Sequence, residues 1–308
     1  MFHSPVAATG ASRSSTLCAL IGTGIGGSRS RAMHEGEAAA MGLPLVYRIL
    51  DSEVIGFGND LGEFLDMLAR IGFDGFNVTH PFKNAVLPLM DELSDAARRL
   101  GAVNTVLLRQ GRMIGDNTDW SGYRAHFLAG LGSLPRCRVA MIGAGGAAAA
   151  VGYAHLDLGA RHLSIFDPAA ARAKALVERL SGLFPEAQVI AASTVEDAIS
   201  GTDGVVQASP VGMLSHPGLP FDPALLSSEM WVSDIIYFPL ETEILKAAKA
   251  LGCATLDGGG MAVMQAAHAF ALFTGRKPDT LRMLADFAAA SARPAQRPSP
   301  SRSAFRIR

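Results

Sequence analysis

Short apolar runs, each ending at a glycine or a polar residue, alternate with stretches of helical spacing along most of this chain. Residues 17–21 are apolar and stop at Gly22, the pattern of a buried parallel strand. Residues 31–41 have helical character, 45–50 read as a second strand, and 61–71 place apolar residues at helical spacing. A short strand is predicted at 75–78 and a helix at 82–90, after Pro81. Residues 103–108 and 112–114 flank Gln110-Gly111, a hairpin turn signal. Residues 17–118 therefore read as mixed α/β with some antiparallel edge. A helix at 119–131, closed by Leu134-Pro135, bridges to the second half of the chain.

From Arg138 the alternation becomes regular. Strands are predicted at 138–142, 162–166, 187–191, 204–207, 231–235 and 253–256. Helices fall at 146–158, 169–183, 195–200 and 241–251. This βαβ rhythm predicts a doubly wound parallel sheet. Two further helices come after the last strand, at 261–274 and 278–291. The fold class is α/β: an N-terminal mixed α/β domain and a C-terminal parallel-sheet domain.

The turn after residues 138–142 carries chemistry. It reads Gly143-Ala-Gly145-Gly146-Ala147-Ala148. Gly143 permits the tight turn, Gly145 lets a pyrophosphate approach the backbone, and Ala148 lets helix and strand pack closely. The next helix offers unpaired N–H groups to phosphates. Asp167 ends the next apolar run, where an acid accepts hydrogen bonds from both ribose hydroxyls of NAD and repels the 2′-phosphate of NADP. The unit reads as a Rossmann dinucleotide site for NAD, with NADP disfavoured. Its bland alternative is a Gly/Ala-rich helix start that binds nothing.

Composition narrows the partners. Hydrophobic residues make up 49% of the 308 and charged residues 18%, enough for a large core. A net charge of −1 gives no electrostatic case for nucleic acid or an anionic membrane. Cys18, Cys137 and Cys253 are scattered, with no metal spacing, which suits a reducing compartment and a cytoplasmic protein. No window looks like a membrane span. Residues 1–16 read as a disordered leader and 292–308 as a solvated tail rich in Ser, Pro and Arg.

Polar residues gather at the predicted strand ends, where open α/β sheets place ligands. Ser28-Arg29-Ser30 comes after the first strand and Asn77-Val-Thr79-His80-Pro81-Phe-Lys83 after the third. Asn104-Thr105 and Asp116-Asn117-Thr118-Asp119 come later. Hydroxyls, amides, an ammonium and carboxylates suit a small polyhydroxylated ligand that bears a carboxylate. No metal cage is among them. Taken singly, Ser28, Ser30 and Asp119 could cap helices, Asn117 and Thr118 could be turn residues, and Lys83 could be solvated. Among the histidines only His80, between Thr79 and Lys83, is kept as a supporting candidate; His34 and His268 read as structural or exposed.

At these residues the chain resembles the shikimate dehydrogenase family. The likeness runs in order through Ser28-Arg-Ser30, Asn77–Lys83, Gly101-Ala-Val-Asn-Thr105, Gly115–Asp119, the turn at 143–147, Ala208-Ser-Pro-Val-Gly-Met213, Asp234-Ile-Ile-Tyr-Phe-Pro239 and Gly260–Phe270. The resemblance implies a substrate domain at 17–120 and 262–291 and a Rossmann domain at 121–261. It implies that Ser28 and Ser30 bind a substrate carboxylate, with Tyr237 closing over it. Thr79, Asn104 and Gln265 would hold ring hydroxyls. Ser209 and Gly258 would join Gly143, Gly145, Gly146, Ala147 and Asp167 around the cofactor. Lys83 and Asp119 would form the catalytic pair, which exchanges the hydroxyl proton while a hydride leaves carbon.

The chain departs from the family pattern in places. Arg31 stands after the serines where Pro is usual, and Gln207-Ala-Ser-Pro210 replaces Asn-Ala-Thr-Pro. Phe166-Asp167-Pro168 stands where NADP-using members carry Asn-Arg-Thr, so the likeness is nearest the NAD-preferring quinate/shikimate branch. Ser30 leans towards shikimate over quinate. The expected enzyme therefore interconverts shikimate, or quinate, and its 3-dehydro product with NAD, as a monomer or a homodimer. A non-catalytic sensor of the same fold is the alternative, against which the chain keeps Lys83, Asp119, Gly143 and Gly145. A folate-type dehydrogenase would leave the serine and Asn-Thr-Asp clusters unexplained.

Overall fold

The computed structural model describes residues 15–56 and 60–292. The first sheet is built from β1 (Thr16–Gly22), β2 (Leu45–Asp51), β3 (Gly75–Val78), β4 (Glu92–Leu93), β5 (Thr105–Arg109) and β6 (Arg112–Asp116). Between them run α1 (Ser30–Ala40), α2 (Ser52–Ile55), α3 (Leu61–Arg70) and α4 (Asp95–Leu100). The strand order is β2-β1-β3-β5-β6-β4. β1 pairs in parallel with β2 and β3, while β3–β5 and β5–β6 are antiparallel. The hairpin turns at Gln110 and Gly111, with φ of 52° and 75°, the two positive values that a type I′ turn requires.

α5 (Asp119–Leu131) leads into the second sheet, made of β7 (Arg138–Ile142), β8 (His162–Phe166), β9 (Gln188–Ala191), β10 (Gly204–Gln207), β11 (Trp231–Asp234) and β12 (Ala254–Leu256). α6 (Ala148–Asp157), α7 (Ala170–Leu183), α8 (Val195–Ile199) and α9 (Glu243–Ala250) are the crossovers. All pairs are parallel and the order is β12-β11-β10-β7-β8-β9. Numbered from β7, this is the 3-2-1-4-5-6 order of the Rossmann fold, and it reverses between β7 and β10. β10 and β11 are buried along their whole length, because helices cover both faces of the sheet. α10 (Gly259–Thr274) then packs along α5 and reaches α1, β1 and β5; α11 (Thr280–Ala292) packs on α10 and α1. Val263, Ala266, Ala267, Met283 and Phe287 make a small core there.

Several expectations need correction. Residues 82–90 are not a helix: successive turns lead into a single 3-10 turn at Leu87–Leu89. Val86 donates to the Phe82 carbonyl, but Pro88 has no N–H with which to continue the ladder. The strand expected at 103–108 starts only at Thr105, since the Val103 N–H turns to the Lys83 carbonyl at 2.9 Å. α2, β4 and α4 were not expected; at four, two and six residues they are too short to show a period. Thr16 already pairs with Leu45, and Ala292 still belongs to α11, so both terminal boundaries shift by a residue or more. The rest of the expected leader and tail lies outside the described residues.

Candidate active site

The polar clusters of the first sheet share one edge. β1, β2 and β3 are parallel, so Gly22, Asp51 and Val78 end side by side. β5 runs against β3 and β6 against β5, which brings Asn104, just before β5, and Asp116, the last residue of β6, to the same edge. The loops that leave this edge carry Ser28, Thr79, Lys83 and Asp119.

Lys83 and Asp119 meet there. Lys83 Nζ lies 2.5 Å from Asp119 Oδ2, and both side chains are largely shielded, at 18% and 10% exposure. Asn104 Nδ2 donates to Asp119 Oδ1 at 2.8 Å. The Asp119 N–H donates to Asn117 Oδ1 at 3.1 Å. Asp119 is the first residue of α5, where a carboxylate is favoured by the helix dipole, but it is not the cap: Thr118 is, without a side-chain cap bond. Both oxygens of Asp119 are instead committed to Lys83 and Asn104.

A buried chain of hydrogen bonds supports the pair. Asn104 Oδ1 accepts from the Thr118 N–H at 2.7 Å and from Thr105 Oγ1 at 2.9 Å. Asn77 Nδ2 donates to Thr105 Oγ1 at 3.0 Å, and Tyr47 donates its phenol to Asn77 Oδ1 at 2.7 Å. Tyr47 is fully buried and stacks on His34, ring centroids 4.5 Å apart. Burial lowers the His34 pKa to about 3, so this ring is neutral. Satisfied networks of this kind hold rotamers rigidly, because each member's alternative is an unpaired buried group.

Ser28 Oγ donates to Ser30 Oγ at 3.1 Å. The N-cap of α1 is Arg29, without a side-chain cap bond, while Ser28 Oγ accepts from the N–H of Ser30, the first residue of the helix, at 3.3 Å. Asp51 anchors the glycine-rich loop before them by accepting from the Gly24, Ile25 and Gly26 N–H groups at 3.0, 2.7 and 3.1 Å. Burial pushes the Asp51 carboxyl up, yet the backbone bond from the Glu53 N–H, together with those from Gly24, Ile25 and Gly26, outweighs it and holds the carboxyl below its usual range. Thr79 donates its N–H to Ile21 and packs its methyl against Gly22. Gln265 lies on α10 against Gly122 of α5, where an added Cβ would come within 2.5 Å of the Gln265 nitrogen; that close approach brings Gln265 to the start of α5. His80 is exposed and contributes only its carbonyl, to the Thr23 N–H, so the supporting role considered for its ring has no partner here.

The second sheet offers backbone rather than side chains. Gly143 has φ +108°, and a Cβ there would strike Ala208 and the Ser209 nitrogen at 2.7 Å, so the turn is locked against the loop after β10. A Cβ on Gly145 or Gly146 would meet nothing within 4 Å, which leaves an open backbone cradle. α6 begins after Ala147 without a side-chain cap; the Ala148 N–H donates to the Gly145 carbonyl at 3.1 Å. Asp167 Oδ2 accepts from the Ala144 N–H and Oδ1 from the Ala169 N–H, both at 2.8 Å. That fixes one carboxylate beside the cradle. The residues fit a dinucleotide. Gly258 packs directly on Ile235 and Ile236, and Tyr237 is half exposed with its ring 6.4 Å from Phe287 of α11. Since β7 and β11 are parallel, Tyr237 and the cradle lie at the same edge.

A Rossmann sheet with an open glycine cradle, joined to a second sheet whose edge holds a buried lysine–carboxylate pair, defines a two-domain nicotinamide-dependent dehydrogenase. Similarity to known proteins narrows that class. Residues 20–106 match the shikimate dehydrogenase substrate binding domain. A shikimate dehydrogenase (NADP(+)) of Streptomyces avermitilis is 50% identical over 277 residues, covering 89% of this chain and 95% of that protein. A quinate/shikimate dehydrogenase (NAD(+)) of Corynebacterium efficiens is 47% identical over 277 residues, covering 89% and 98%. The structure of quinate dehydrogenase from Corynebacterium glutamicum in complex with NAD superposes with a TM-score of 0.86 at 45% identity, covering 89% and 99%. The chain belongs to the shikimate dehydrogenase family.

Tyr47 and Asp51 were missed by sequence reasoning. Tyr47 lies inside a strand read only for its hydrophobicity, and Asp51 is the one acidic residue at the end of that strand. Among the described residues no cluster of His, Cys, Asp and Glu could hold a metal, and no helix is long and apolar enough to cross a membrane.

Proposed function

We propose that this protein interconverts shikimate and its 3-dehydro product, with quinate as the second substrate and NAD as the favoured cofactor. The observation that carries this reading is the contact of Lys83 with Asp119, with Asn104 on the other carboxylate oxygen. The bound nicotinamide supplies the acceptor and donor of hydride. In oxidation the Lys83–Asp119 pair takes the proton of the reacting hydroxyl as the alkoxide develops, and in reduction it returns that proton to the carbonyl oxygen. Lys83 also steadies negative charge on that oxygen.

Ser28 and Ser30 exchange their mutual hydrogen bond for two bonds to the substrate carboxylate, and Tyr237 closes that end. Thr79 and Gln265 take ring hydroxyls. Asn104 shares this task only by giving up a bond to Thr118, because both Nδ2 hydrogens are already used. Residues 17–120 and 262–291 form the substrate side and 121–261 the dinucleotide side. Three free cysteines suit the cytoplasm.

Gly143, Gly145, Gly146 and Ala147 cradle the pyrophosphate, flanked by Ser209 and Gly258. NAD is favoured because Asp167 stands beside the cradle with no Lys or Arg from 166 to 171. Relatives that use NADP and NAD are about equally similar to this chain, so the choice rests on that local charge and not on overall likeness. The test is Lys83→Ala. Turnover should fall by about two to four orders of magnitude while shikimate still shifts the melting temperature. Turnover near that of the wild type would refute the assignment.

A further inference from the structure

Arg29 lies between the two serines, yet its side chain reaches across to other elements. Its Cζ lies 5.7 Å from the centroid of the Phe238 ring and 5.3 Å from that of Phe287. Nη1 donates to Ser291 Oγ and, at 3.4 Å, to the Phe287 carbonyl. Among the described residues no carboxylate pairs with it. Phe238 comes after Tyr237 in the loop that leaves β11, and Phe287 and Ser291 lie on α11. The Tyr237 ring also approaches Phe287. Two separate elements, the loop after β11 and α11, therefore converge on one guanidinium carried by the serine loop.

We propose that Arg29 is a latch, a positioning residue that ties the serine loop to the Tyr237–Phe238 loop and to α11, and so holds Tyr237 over the carboxylate end of a bound hydroxy acid. The physical basis is a cation held over two aromatic faces, with Nη1 bonded to α11. Holding a long side chain in this way costs rotamer freedom, which the contacts offset. Ser28 and Ser30 flank Arg29 in the chain, so the loop that grips the acid is the loop that grips the cover. The latch acts on affinity for the acid and not on the proton transfer at Lys83, which belongs to other loops. The inference rests on reading Ser28 and Ser30 as the carboxylate clamp.

The experiment compares initial rates of the full chain and of Arg29→Ala, Arg29→Lys, Phe238→Leu, the Arg29→Ala/Phe238→Leu double variant and Ser28→Ala, with shikimate varied at saturating NAD. Arg29→Ala should raise the KM for shikimate about tenfold and leave kcat within about threefold. Phe238→Leu should act in the same direction, and the double variant should be no worse than the more severe single one. Arg29→Lys, which keeps the cation but loses the fork, should recover part of the loss. Strict additivity of the two single effects would overturn the latch. So would an unchanged KM in Arg29→Ala while Ser28→Ala raises it, and the clamp would then stand. An unchanged KM in both variants would instead refute the clamp itself.

Discussion

The two sheet edges that build the site use different materials. At the edge of the first sheet the work falls to side chains: an unbroken run of hydrogen bonds leads from Tyr47 through Asn77, Thr105 and Asn104 to Asp119 and Lys83. At the edge of the second sheet it falls to backbone: a glycine turn locked at Gly143, open space over Gly145 and Gly146, and one charged side chain, Asp167. The difference teaches where selectivity resides. A network of side chains depends on many identities at once, so changes there should alter rate and affinity. A backbone cradle accepts any pyrophosphate, so on the function proposed the choice between cofactors falls to Asp167.

The largest expected effect breaks the first edge. Asp119→Asn should lose turnover on the scale of Lys83→Ala, and the double variant should be scarcely worse than either single one, because the two act as a unit. Pre-steady-state and steady-state rates of the three variants check this; multiplied losses would show that the two residues act independently. Next, Ser28→Ala and Ser30→Ala should each raise the KM for shikimate, since a hydrogen bond to a charged group is worth about 1.5–3 kcal/mol. Unchanged kinetics in both would leave the serines without a role in binding the acid.

A change at the second edge should act differently. Asp167→Ser should lose kcat/KM with NAD, gain activity with NADP, and leave the KM for shikimate unaltered. A rise in that KM would blur the division of labour between the two edges.

The smallest effect concerns stability and compares the two halves directly. His34 in the first half and His155 in the second are both buried, and burial lowers each pKa from 6.5 to about 3. His155 stacks on Trp231 and shares a hydrogen bond with Tyr123. Both are neutral when folded and take up a proton on unfolding below pH 6.5. Their contribution is therefore complete above that value and is lost as pH falls towards 3, at about 1.4 kcal/mol per pH unit for each ring. Urea melts across this range should show a shallower pH slope in His34→Phe and in His155→Phe than in the wild type. An unchanged slope would mean that the ring replaced titrates normally in the folded protein.

Much of the second half was legible in advance. The inner strands β7, β8 and β10 are short, largely apolar runs, and parallel strands covered on both faces must be so. The first half was harder. Pro88 broke a helix that the apolar spacing of 82–90 suggested, and α2, β4 and α4 are shorter than any period can reveal. Lys83, Asn104 and Asp119 stood out because polar residues at strand ends have few structural uses. Tyr47 did not, since a tyrosine in an apolar strand looks like core until its phenol finds Asn77. Arg29 gave no signal either; its partners lie more than two hundred residues away in the chain.

The most direct test of the account is a matrix of initial rates for the purified protein, with shikimate and quinate each paired with NAD and NADP. The account predicts that shikimate with NAD is the best pair, and that NAD exceeds NADP by at least about a hundredfold in kcat/KM, a difference of roughly 2.7 kcal/mol. A preference for NADP, or no oxidation of either acid, would contradict it.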